Sequence, residues 1–207
     1  TTPTTKSIFT KIAHERKSNV IFSEEFPSSN KFTPPLLGDY QKRNLHTVLV
    51  ACENLKHYFK GINDKTISSG LTNLTQNTGF FGRLQIVQKD PLVLFDVSHN
   101  KDGIEATIMA VSSLNKGQLH ILYGSSADKD VNEIAELFPK EAKINFTTFS
   151  NTRSLSMQQL EVLNKKFNFS AKIYSNPPRA LQEIQSIANK QDTILVFGSF
   201  FLLSDFF

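Results

Sequence analysis

The stretch PLVLFDVSHNKDG, Pro91–Gly103, decides the fold because an apolar strand in it runs directly into polar residues and a helix start. The apolar run predicts a strand at Leu92–Val97, and the spacing beyond it predicts a helix at Ile104–Leu114. A strand followed by a helix is the repeating unit of α/β proteins. Since ligands bind at the carboxyl ends of strands in open α/β sheets, the polar residues between strand and helix are the first site candidates.

The same alternation continues to the end of the chain. Further strands are predicted at Arg83–Gln88, Leu119–Tyr123, Ile144–Phe149, Ala171–Tyr174 and Thr193–Phe197. Further helices are predicted at Val131–Phe138, Met157–Phe167 and Pro178–Asn189. Strands that alternate with helices of about ten residues predict an α/β fold with a largely parallel sheet covered on both faces.

The first part of the chain lacks this alternation. A helix is predicted at Thr4–Glu15, a strand at Asn19–Ser23, an amphipathic helix at Asp39–Lys56 and a weaker helix at Ile67–Leu74. One short strand is too little to build a sheet, so we expect this part to belong to a larger domain.

Composition limits the classes of function. Hydrophobic residues make up 39% of the chain and charged residues 20%, as in an ordinary globular protein. The net charge of +4 is spread along the sequence, which favours a solvated surface over a nucleic-acid partner. Cys52 is the single cysteine, so an internal disulfide and a cysteine-cluster metal site are excluded. Without a long apolar run or a signal peptide, we expect no membrane partner and a cytoplasmic location.

Three polar segments follow predicted strands, and each precedes a predicted helix. They are Asp96–Asn100, Tyr123–Asp130 and Gly198–Ser199. The free N–H groups and the dipole of a helix start attract anions. Because the carboxyl ends of parallel strands share one edge of a sheet, the sequence predicts an anion- or nucleotide-binding edge.

Each segment also has an interpretation without a ligand. Asp96–Asn100 is rich in residues typical of turns and helix caps. Asp130 with Glu133 three residues later resembles a capping box, which leaves Asp128 and Lys129 as surface charges. Gly198–Ser199 is compatible with a simple turn.

Motifs for other chemistries are missing. The sequence contains no G-x-S-x-G nucleophile elbow, no G-x-G-x-x-G fingerprint and no G-x-x-x-x-G-K-[ST] phosphate loop. His99 and Asp96 offer too few ligands for a metal, so no metal-binding residue is predicted. From the residues alone, the interpretation ends at an α/β domain with an anion-binding edge.

The motifs taken together resemble the C-terminal part of folylpolyglutamate synthase/dihydrofolate synthase, in the Mur ligase superfamily. The resemblance runs from about Ile8 to the end of the chain. It is carried by LLGDYQKRN, TGFFGRLQ, PLVLFDVSHNKDG, LYGSSADKDV, FTTFSNTRSL and ILVFGSFFLL. It implies a Rossmann-like Mur ligase C-terminal domain at residues 83–207, a hinge at 79–82, and a partial tail of the central ATPase domain at 1–78.

The resemblance also implies an activity. Such ligases use ATP and Mg²⁺ to phosphorylate a carboxylate, and the amine of L-glutamate then attacks the acyl phosphate. The acceptor is dihydropteroate or a folate, and the enzyme is expected to be a monomer. Phosphoryl transfer of this kind relies on cationic groups and Mg²⁺ to stabilise the developing charge.

Individual roles follow from the matching motif positions. The resemblance assigns ATP binding to four residues: Asn44 at the adenine, Arg83 at the phosphates, Asp96 at the ribose, and Asn100. It assigns a catalytic role to His99, beside the acyl phosphate. It assigns glutamate carboxylates to Lys129 and Ser199, and it leaves Ser98 and Arg153 as possible site residues.

The resemblance accounts for the missing phosphate loop. In this family that loop, and most Mg²⁺ ligands, belong to an ATPase domain upstream of the matched part. We therefore expect this chain to be a C-terminal portion that is inactive by itself. Two alternatives stay open: another Mur-type amino-acid ligase, and a non-catalytic nucleotide- or glutamate-binding module.

Overall fold

The computed structural model describes residues 2–207, which form two compact units. The first unit comprises the chain up to Pro35 together with Tyr40–Asn77. The second comprises Leu36–Asp39 and Thr78–Phe207. Every strand within residues 2–207 lies in the second unit.

The first unit is helical. Its helices are α1 (Pro3–Glu15), α2 (Tyr40–Leu55), α3 (Asp64–Thr72) and α4 (Leu74–Thr78, whose last residue clusters with the second unit), with a 3₁₀ turn at Ser23–Glu25. Helix α2 confirms the amphipathic helix, and it buries Gln41, Leu45 and Val50. Helix α3 begins before the predicted start because Asn63 caps it, accepting from the N–H groups of Lys65 and Thr66.

The strand predicted at Asn19–Ser23 is wrong. These residues are irregular and lead into the 3₁₀ turn, and Val20 and Ile21 remain exposed. A strand needs a partner for its backbone N–H and C=O groups, and the described residues of the first unit contain no other strand. Local β-propensity alone was therefore misleading here.

The second unit is built on one six-stranded sheet. Its strands are β1 (Gln85–Lys89), β2 (Leu92–Asp96), β3 (Leu119–Tyr123), β4 (Lys143–Thr147), β5 (Lys172–Tyr174) and β6 (Thr193–Phe197). The spatial order is β1-β2-β6-β3-β4-β5, and only β1 runs antiparallel to its neighbour. The predicted largely parallel sheet is confirmed. Strand β1 begins later than predicted because Leu84 adopts a left-handed φ of 48°.

Helices cover both faces of the sheet. They are α5 (Lys101–Leu114), α6 (Val131–Ala135), α7 (Met157–Phe167), α8 (Pro177–Ile187) and α9 (Phe200–Ser204). Helices α8 and α9 share one core with Val93 and Phe95 of β2. Successive strand residues face opposite sides, so Asp96, which bonds to Thr107 of α5, places α5 on the other face. Helix α6 contacts both α5 and α7.

The register of the sheet brings the three polar segments together. Asp96 at the end of β2 pairs with Phe197 at the end of β6, and Phe197 pairs in turn with Tyr123 at the end of β3. The segments that follow these strands therefore leave the sheet side by side at its carboxyl edge. This is the edge at which open α/β sheets bind ligands.

Candidate functional site

The backbone on both sides of Arg83 is hydrogen-bonded to residues at the end of β2. The Val97 N–H donates to the Gly82 carbonyl, and the Leu84 N–H donates to Oδ2 of Asp96, both at 2.8 Å. Gly82 has a φ of 79°, and a Cβ there would lie 2.6 Å from Cγ1 of Val97. Only glycine fits so close an approach in that conformation. Arg83 is thus held between two residues that are each hydrogen-bonded to the strand exit.

The buried carboxylate of Asp96 accepts hydrogen bonds from residues around the end of β2. It is 1% exposed, and its Oδ1 accepts from the Ser98 N–H at 2.8 Å and from the Thr107 hydroxyl at 3.2 Å. Together with the Leu84 bond, its carboxylate satisfies three donors of the chain itself. The structure therefore gives Asp96 a structural function, and the ribose contact stays a prediction.

The three residues after Val97 differ in exposure and in bonding. Ser98 is 8% exposed, and its hydroxyl has no hydrogen-bond partner. The exposed His99 places Nδ1 3.0 Å from the Val97 carbonyl. A carbonyl only accepts, so the ring donates this bond from Nδ1. Asn100 caps α5 by accepting from the Gly103 N–H, as the interpretation without a ligand predicts.

The segment after β3 is paired with the loop between β4 and α7. The Leu155 N–H donates to the Ser125 carbonyl at 2.9 Å, and the Ala127 N–H donates to the Arg153 carbonyl at 2.8 Å. Ser126 and Ser154 form an antiparallel bridge between these bonds. The pairing places Arg153 next to the second polar segment, which the sequence did not predict because the two loops are far apart along the chain.

The carboxylate of Asp128 contacts both basic candidate residues of this region, Lys129 and Arg153. Oδ2 of Asp128 accepts from Arg153 Nη2 at 3.0 Å and lies 3.6 Å from Lys129 Nζ. The Arg153 hydrogen bond holds the pKa of Asp128 below its usual value. The Arg153 guanidinium also lies 5.7 Å from the ring centroid of Phe201, at the start of α9. Two partly exposed cations therefore share one internal anion at the carboxyl edge.

The capping interpretation of Asp130 is half confirmed. Its carboxylate caps α6 by accepting from the N–H groups of Asn132 and Glu133. The reciprocal bond of a capping box is missing among the described contacts, because the Glu133 carboxylate pairs instead with Lys101 at 2.7 Å. This ion pair links the start of α5 to α6.

The third segment is in direct contact with the second. Gly198 has a φ of 121°, and a Cβ there would lie 2.5 Å from the Gly124 carbonyl oxygen. Ser199 is 4% exposed, and its Oγ accepts from the Phe201 N–H at 3.1 Å. Accepting this bond leaves the hydroxyl proton of Ser199 available to a ligand.

Asn44 lies in the first unit, on α2. Its side-chain amide donates to Oε1 of Gln41 at 2.9 Å. The predicted adenine contact of Asn44 stays a prediction.

An apolar cavity of about 640 Å³ lies within the second unit, beside Arg83. We call it the phenylalanine cavity because four of its nine lining residues are Phe80, Phe81, Phe200 and Phe207. The others are Gly79, Arg83, Val97, Leu203 and Ser204. The sequence did not predict this cavity, since its walls combine residues 79–83, Val97 after β2, and residues 200–207.

Two kinds of feature are missing from the described part of the chain. Across residues 2–207, His, Cys, Asp and Glu nowhere gather in a group of three or more able to hold a metal ion. Over the same residues, each helix is too short or too polar to cross a membrane.

Fold and site together define a Rossmann-like α/β domain whose carboxyl edge carries clustered cations, hydroxyls and an exposed imidazole. Residues 82–200 match the family described as "Mur ligase, glutamate ligase domain". This match covers more than half of the chain, and the chain therefore belongs to the Mur ligase family.

Individual relatives agree with this assignment. The chain is 28% identical over 164 residues to the dihydrofolate synthase/folylpolyglutamate synthase of Buchnera aphidicola, with 78% of the chain and 38% of that protein covered. It is also 28% identical over 181 residues to the UDP-N-acetylmuramoyl-L-alanyl-D-glutamate–2,6-diaminopimelate ligase of Prochlorococcus marinus strain NATL2A, with 81% of the chain and 34% of that protein covered. The chain thus spans well under half the length of both relatives.

A solved structure shows the same fold. The bifunctional folylpolyglutamate synthase/dihydrofolate synthase of Yersinia pestis, complexed with AMPPNP and a manganese ion, superposes with a TM-score of 0.64. It is 21% identical, and the superposition covers 82% of this chain and 38% of the other.

Proposed function

We propose that this chain supplies the glutamate-binding part of an ATP-dependent ligase of the folylpolyglutamate synthase/dihydrofolate synthase type. The observation that carries the proposal is the pair of cations, Lys129 and Arg153, held by Asp128 beside α9 and the Ser199 segment. Glutamate presents two carboxylates, and a lysine, an arginine and a hydroxyl are donors that suit them. The family match at residues 82–200 supports the same assignment.

The reaction that we propose has two steps. An oxygen of the acceptor carboxylate attacks the γ-phosphorus of ATP, the bond to the bridging oxygen breaks, and ADP leaves. The glutamate amine then attacks the carbonyl carbon of the acyl phosphate, and inorganic phosphate leaves with the C–O bond. Mg²⁺, when bound, neutralises phosphate charge during the first step, and the proposal assigns its ligands mainly to residues outside this chain.

Residues of the chain would contribute to both steps. Arg83 is fixed between Gly82 and Leu84, and it is proposed to hold phosphate oxygens without a further cost in ordering its backbone. Lys129 and Ser199 would bind glutamate carboxylates. The imidazole of His99, which donates from Nδ1 to the Val97 carbonyl, is proposed to take the proton that the attacking amine loses.

The domain organisation is also a proposal. We infer that residues 1–78 are the tail of an ATPase domain and that 79–82 form a hinge to the ligase domain at 83–207. Gly79 and Gly82 have φ values of 64° and 79°, and glycine pairs of this kind accommodate backbone rotation. The separation of the described residues into two compact units near Thr78 supports the inference.

The experiment uses the full-length gene product. We expect ADP release that requires both L-glutamate and dihydropteroate or a folate, with a glutamyl adduct detected by mass spectrometry. ADP release that depends on a different amino acid would contradict the proposal.

A second candidate is a ligase for peptidoglycan precursors, which the Prochlorococcus relative favours at equal identity. The two candidates differ in the amino acid that binds. Thermal protection by L-glutamate supports the folate branch, whereas protection by D-glutamate, alanine or a diamino acid supports the peptidoglycan branch.

A further inference from the structure

A second cavity lies in the second unit and reaches the amino ends of β4 and β5, whereas the three polar segments lie at the carboxyl edge of the sheet. Its volume is about 510 Å³. Its lining includes His120 of β3, Lys143 and Asn145 of β4, Lys172 and Tyr174 of β5, and Glu183 of α8. We call it the amino-edge cavity, and we propose that it binds a phosphate monoester with an aromatic body. This site is separate from the one proposed for glutamate.

The floor of the amino-edge cavity is a polar part of one sheet face. Leu122 of β3 packs on this face in the core that α8 and α9 cover. Beyond it the same face is polar, because the register places His120 beside Lys143 and Asn145 beside Lys172. Helix α8 contacts β3 and β5 and forms one wall. The volume enclosed in this way is in the usual range for small-molecule sites.

The charged groups around the cavity are mostly cations. Glu183 accepts from Lys172, and its carboxylate also lies 3.4 Å from Nε of Arg179. The side chain of Lys143 forms neither an ion pair nor a hydrogen bond with any other residue in 2–207. Three cations and one carboxylate leave a net charge of +2. A dianion would neutralise this charge, and Lys143 is the cation that is available to bind it.

The donors of the lining suit a phosphoryl group better than a carboxylate. Lysine binds phosphate as a point charge, and the lining described here contains no arginine whose planar fork would match a carboxylate. Asn145 donates one N–H to the Ile121 carbonyl at 3.4 Å, which leaves its second N–H for a ligand. Ser170, which also lines the cavity, adds a hydroxyl that bonds to no other residue in 2–207.

Aromatic side chains beside these donors account for the second part of the ligand. Phe169 lines the cavity and stacks on Phe167, with the ring centroids 5.6 Å apart and the planes at 13°. Nζ of Lys172 lies 5.0 Å from the ring centroid of Tyr174. Ile187 is 70% exposed in the same lining. An aromatic body attached to the phosphate would cover these apolar surfaces.

The buried His120 connects the charge of the cavity to a titrating group. Burial is the main cause that lowers the pKa of His120; of the charged groups that act on it, Asp192 raises the pKa and Lys143 lowers it. An anion held by Lys143 would offset the effect of the lysine, so the pKa of His120 should rise when a ligand binds. The imidazole therefore reports on this cavity and not on the carboxyl edge.

The first experiment titrates the 207-residue chain with phenyl phosphate and follows the imidazole resonances of His120 by NMR. The pH is held at about 7.5, where a phosphate monoester is mainly a dianion. We expect Lys143→Ala to raise the Kd about tenfold, because it removes a charge-assisted contact. Lys129→Ala, the matched change at the carboxyl edge, should leave this Kd unchanged. Benzenesulfonate, a monoanion, and inorganic phosphate, which lacks the ring, should both bind more weakly than phenyl phosphate.

Each comparison can overturn one part of the proposal. Absence of a shift at His120, an unchanged Kd in Lys143→Ala, or a Kd that depends on Lys129 instead would overturn the site. Benzenesulfonate that binds as tightly as phenyl phosphate would overturn the preference for a dianion. Inorganic phosphate that binds as tightly would overturn the aromatic body.

A second measurement titrates His120 with pH in the presence and absence of saturating phenyl phosphate. We expect the ligand to raise the pKa of His120 in the wild-type chain. Lys143→Ala should raise this pKa without ligand and remove most of the further rise, whereas Lys143→Arg keeps the charge and should behave like the wild type. A ligand-induced rise that persists in Lys143→Ala would place the anion elsewhere and contradict the proposal. Neither measurement requires ligation, so both are independent of the proposed function.

Discussion

The backbone N–H of Leu84 donates to Oδ2 of Asp96 at 2.8 Å, and both residues are 1% exposed. This bond joins the residue before β1 to the last residue of β2. Leu84 is held at a left-handed φ of 48°, which is unfavourable for a residue with a Cβ. The buried carboxylate offsets that cost. The geometry of Arg83 therefore depends on a residue that is not adjacent to it in sequence.

Removal of this carboxylate should destabilise the second unit. We expect Asp96→Ala to lower the free energy of unfolding by about 3 kcal/mol, because the Leu84 and Ser98 N–H groups lose a charged acceptor in a buried place. Urea unfolding followed by circular dichroism measures the change. Asp102→Ala, at an exposed carboxylate of the same stretch, should change stability by less than about 0.5 kcal/mol. Equal losses of stability from the two substitutions would contradict the structural function of Asp96.

The two glycines of the proposed hinge, Gly79 and Gly82, should differ in how much their substitution by alanine destabilises the protein. Both have positive φ, but a Cβ at Gly79 meets nothing within 4 Å, whereas a Cβ at Gly82 lies 2.6 Å from Val97 and 3.1 Å from Leu203. We expect Gly79→Ala to cost about 1 kcal/mol for its backbone conformation alone. Gly82→Ala should lower the free energy of unfolding by about 3 kcal/mol, because its Cβ would also crowd the side chains of Val97 and Leu203. Matched denaturation curves give the difference, and similar values for both would show that the Val97 contact relaxes freely.

The paired cations should determine glutamate affinity. In the proposed full-length ligase, Lys129→Ala and Arg153→Ala should each raise the KM for glutamate about tenfold and change kcat little, because each would remove one proposed charge-assisted contact. Ser199→Ala should act in the same direction. Steady-state kinetics with glutamate as the varied substrate measures all three.

The matched control for this series is Lys190→Ala, at an exposed lysine in the turn before β6 and thus at the opposite end of the sheet. It should leave the KM for glutamate unchanged. Small and equal changes of KM in all four variants would indicate that Lys129 and Arg153 are surface charges that do not bind glutamate.

The buried pair His120 and Asp192 predicts a dependence of stability on pH. Burial lowers the pKa of His120 below its ordinary value of 6.5, although Asp192 opposes the shift. The folded state thus holds a neutral imidazole, and the unfolded state binds the proton first. Stability should therefore fall as the pH is lowered through about 6.5, and keep falling until the folded histidine is also protonated.

Urea midpoints at about pH 7.5 and about pH 5.5 test this sign. The variant His120→Gln keeps a donor for Asp192 but cannot titrate, so its midpoint should fall less between the two values. His57→Gln removes an exposed histidine and leaves the buried pair intact, so it should retain the wild-type decline. An undiminished decline in His120→Gln would assign the pH dependence to other groups.

The carboxylate of Asp192 affects stability at lower pH than the imidazole of His120 does. Burial by itself would raise the pKa of Asp192, but the N–H groups of Asn189 and Gln118 and the His120 side chain outweigh it and hold the pKa below the usual value of 3.8. The stabilisation from Asp192 is complete above that value and is lost as the pH falls through the lowered pKa. A second loss of stability is expected under strongly acidic conditions.

The sequence predicted those elements whose pattern is local. The apolar runs of β2, β3 and β6 and the spacing in α5 and α7 were sufficient to place these elements within a few residues. The caps Asn100 and Asp130 were also predictable, because capping acts over three residues.

Features that depend on distant partners were not predicted. The strand expected at Asn19–Ser23 lacks a neighbour to pair with, and the delayed start of β1 follows from the bond between Leu84 and Asp96. The meeting of Arg153 with Asp128 requires the pairing of two loops, which no single stretch of sequence encodes. The phenylalanine cavity likewise combines segments more than 100 residues apart.

The last strand of the sheet, β6, is inserted between β2 and β3 and forms the only described connection between them. A nascent chain that has not yet reached Thr193 consequently has two separate sheet fragments, β1-β2 and β3-β4-β5, each with an open edge able to pair with another molecule. Premature termination or proteolysis before that strand would remove the centre of the domain and leave its margins. The sheet therefore cannot be completed until Thr193–Phe197 has been synthesised, and its unpaired strand edges are open to aggregation until then.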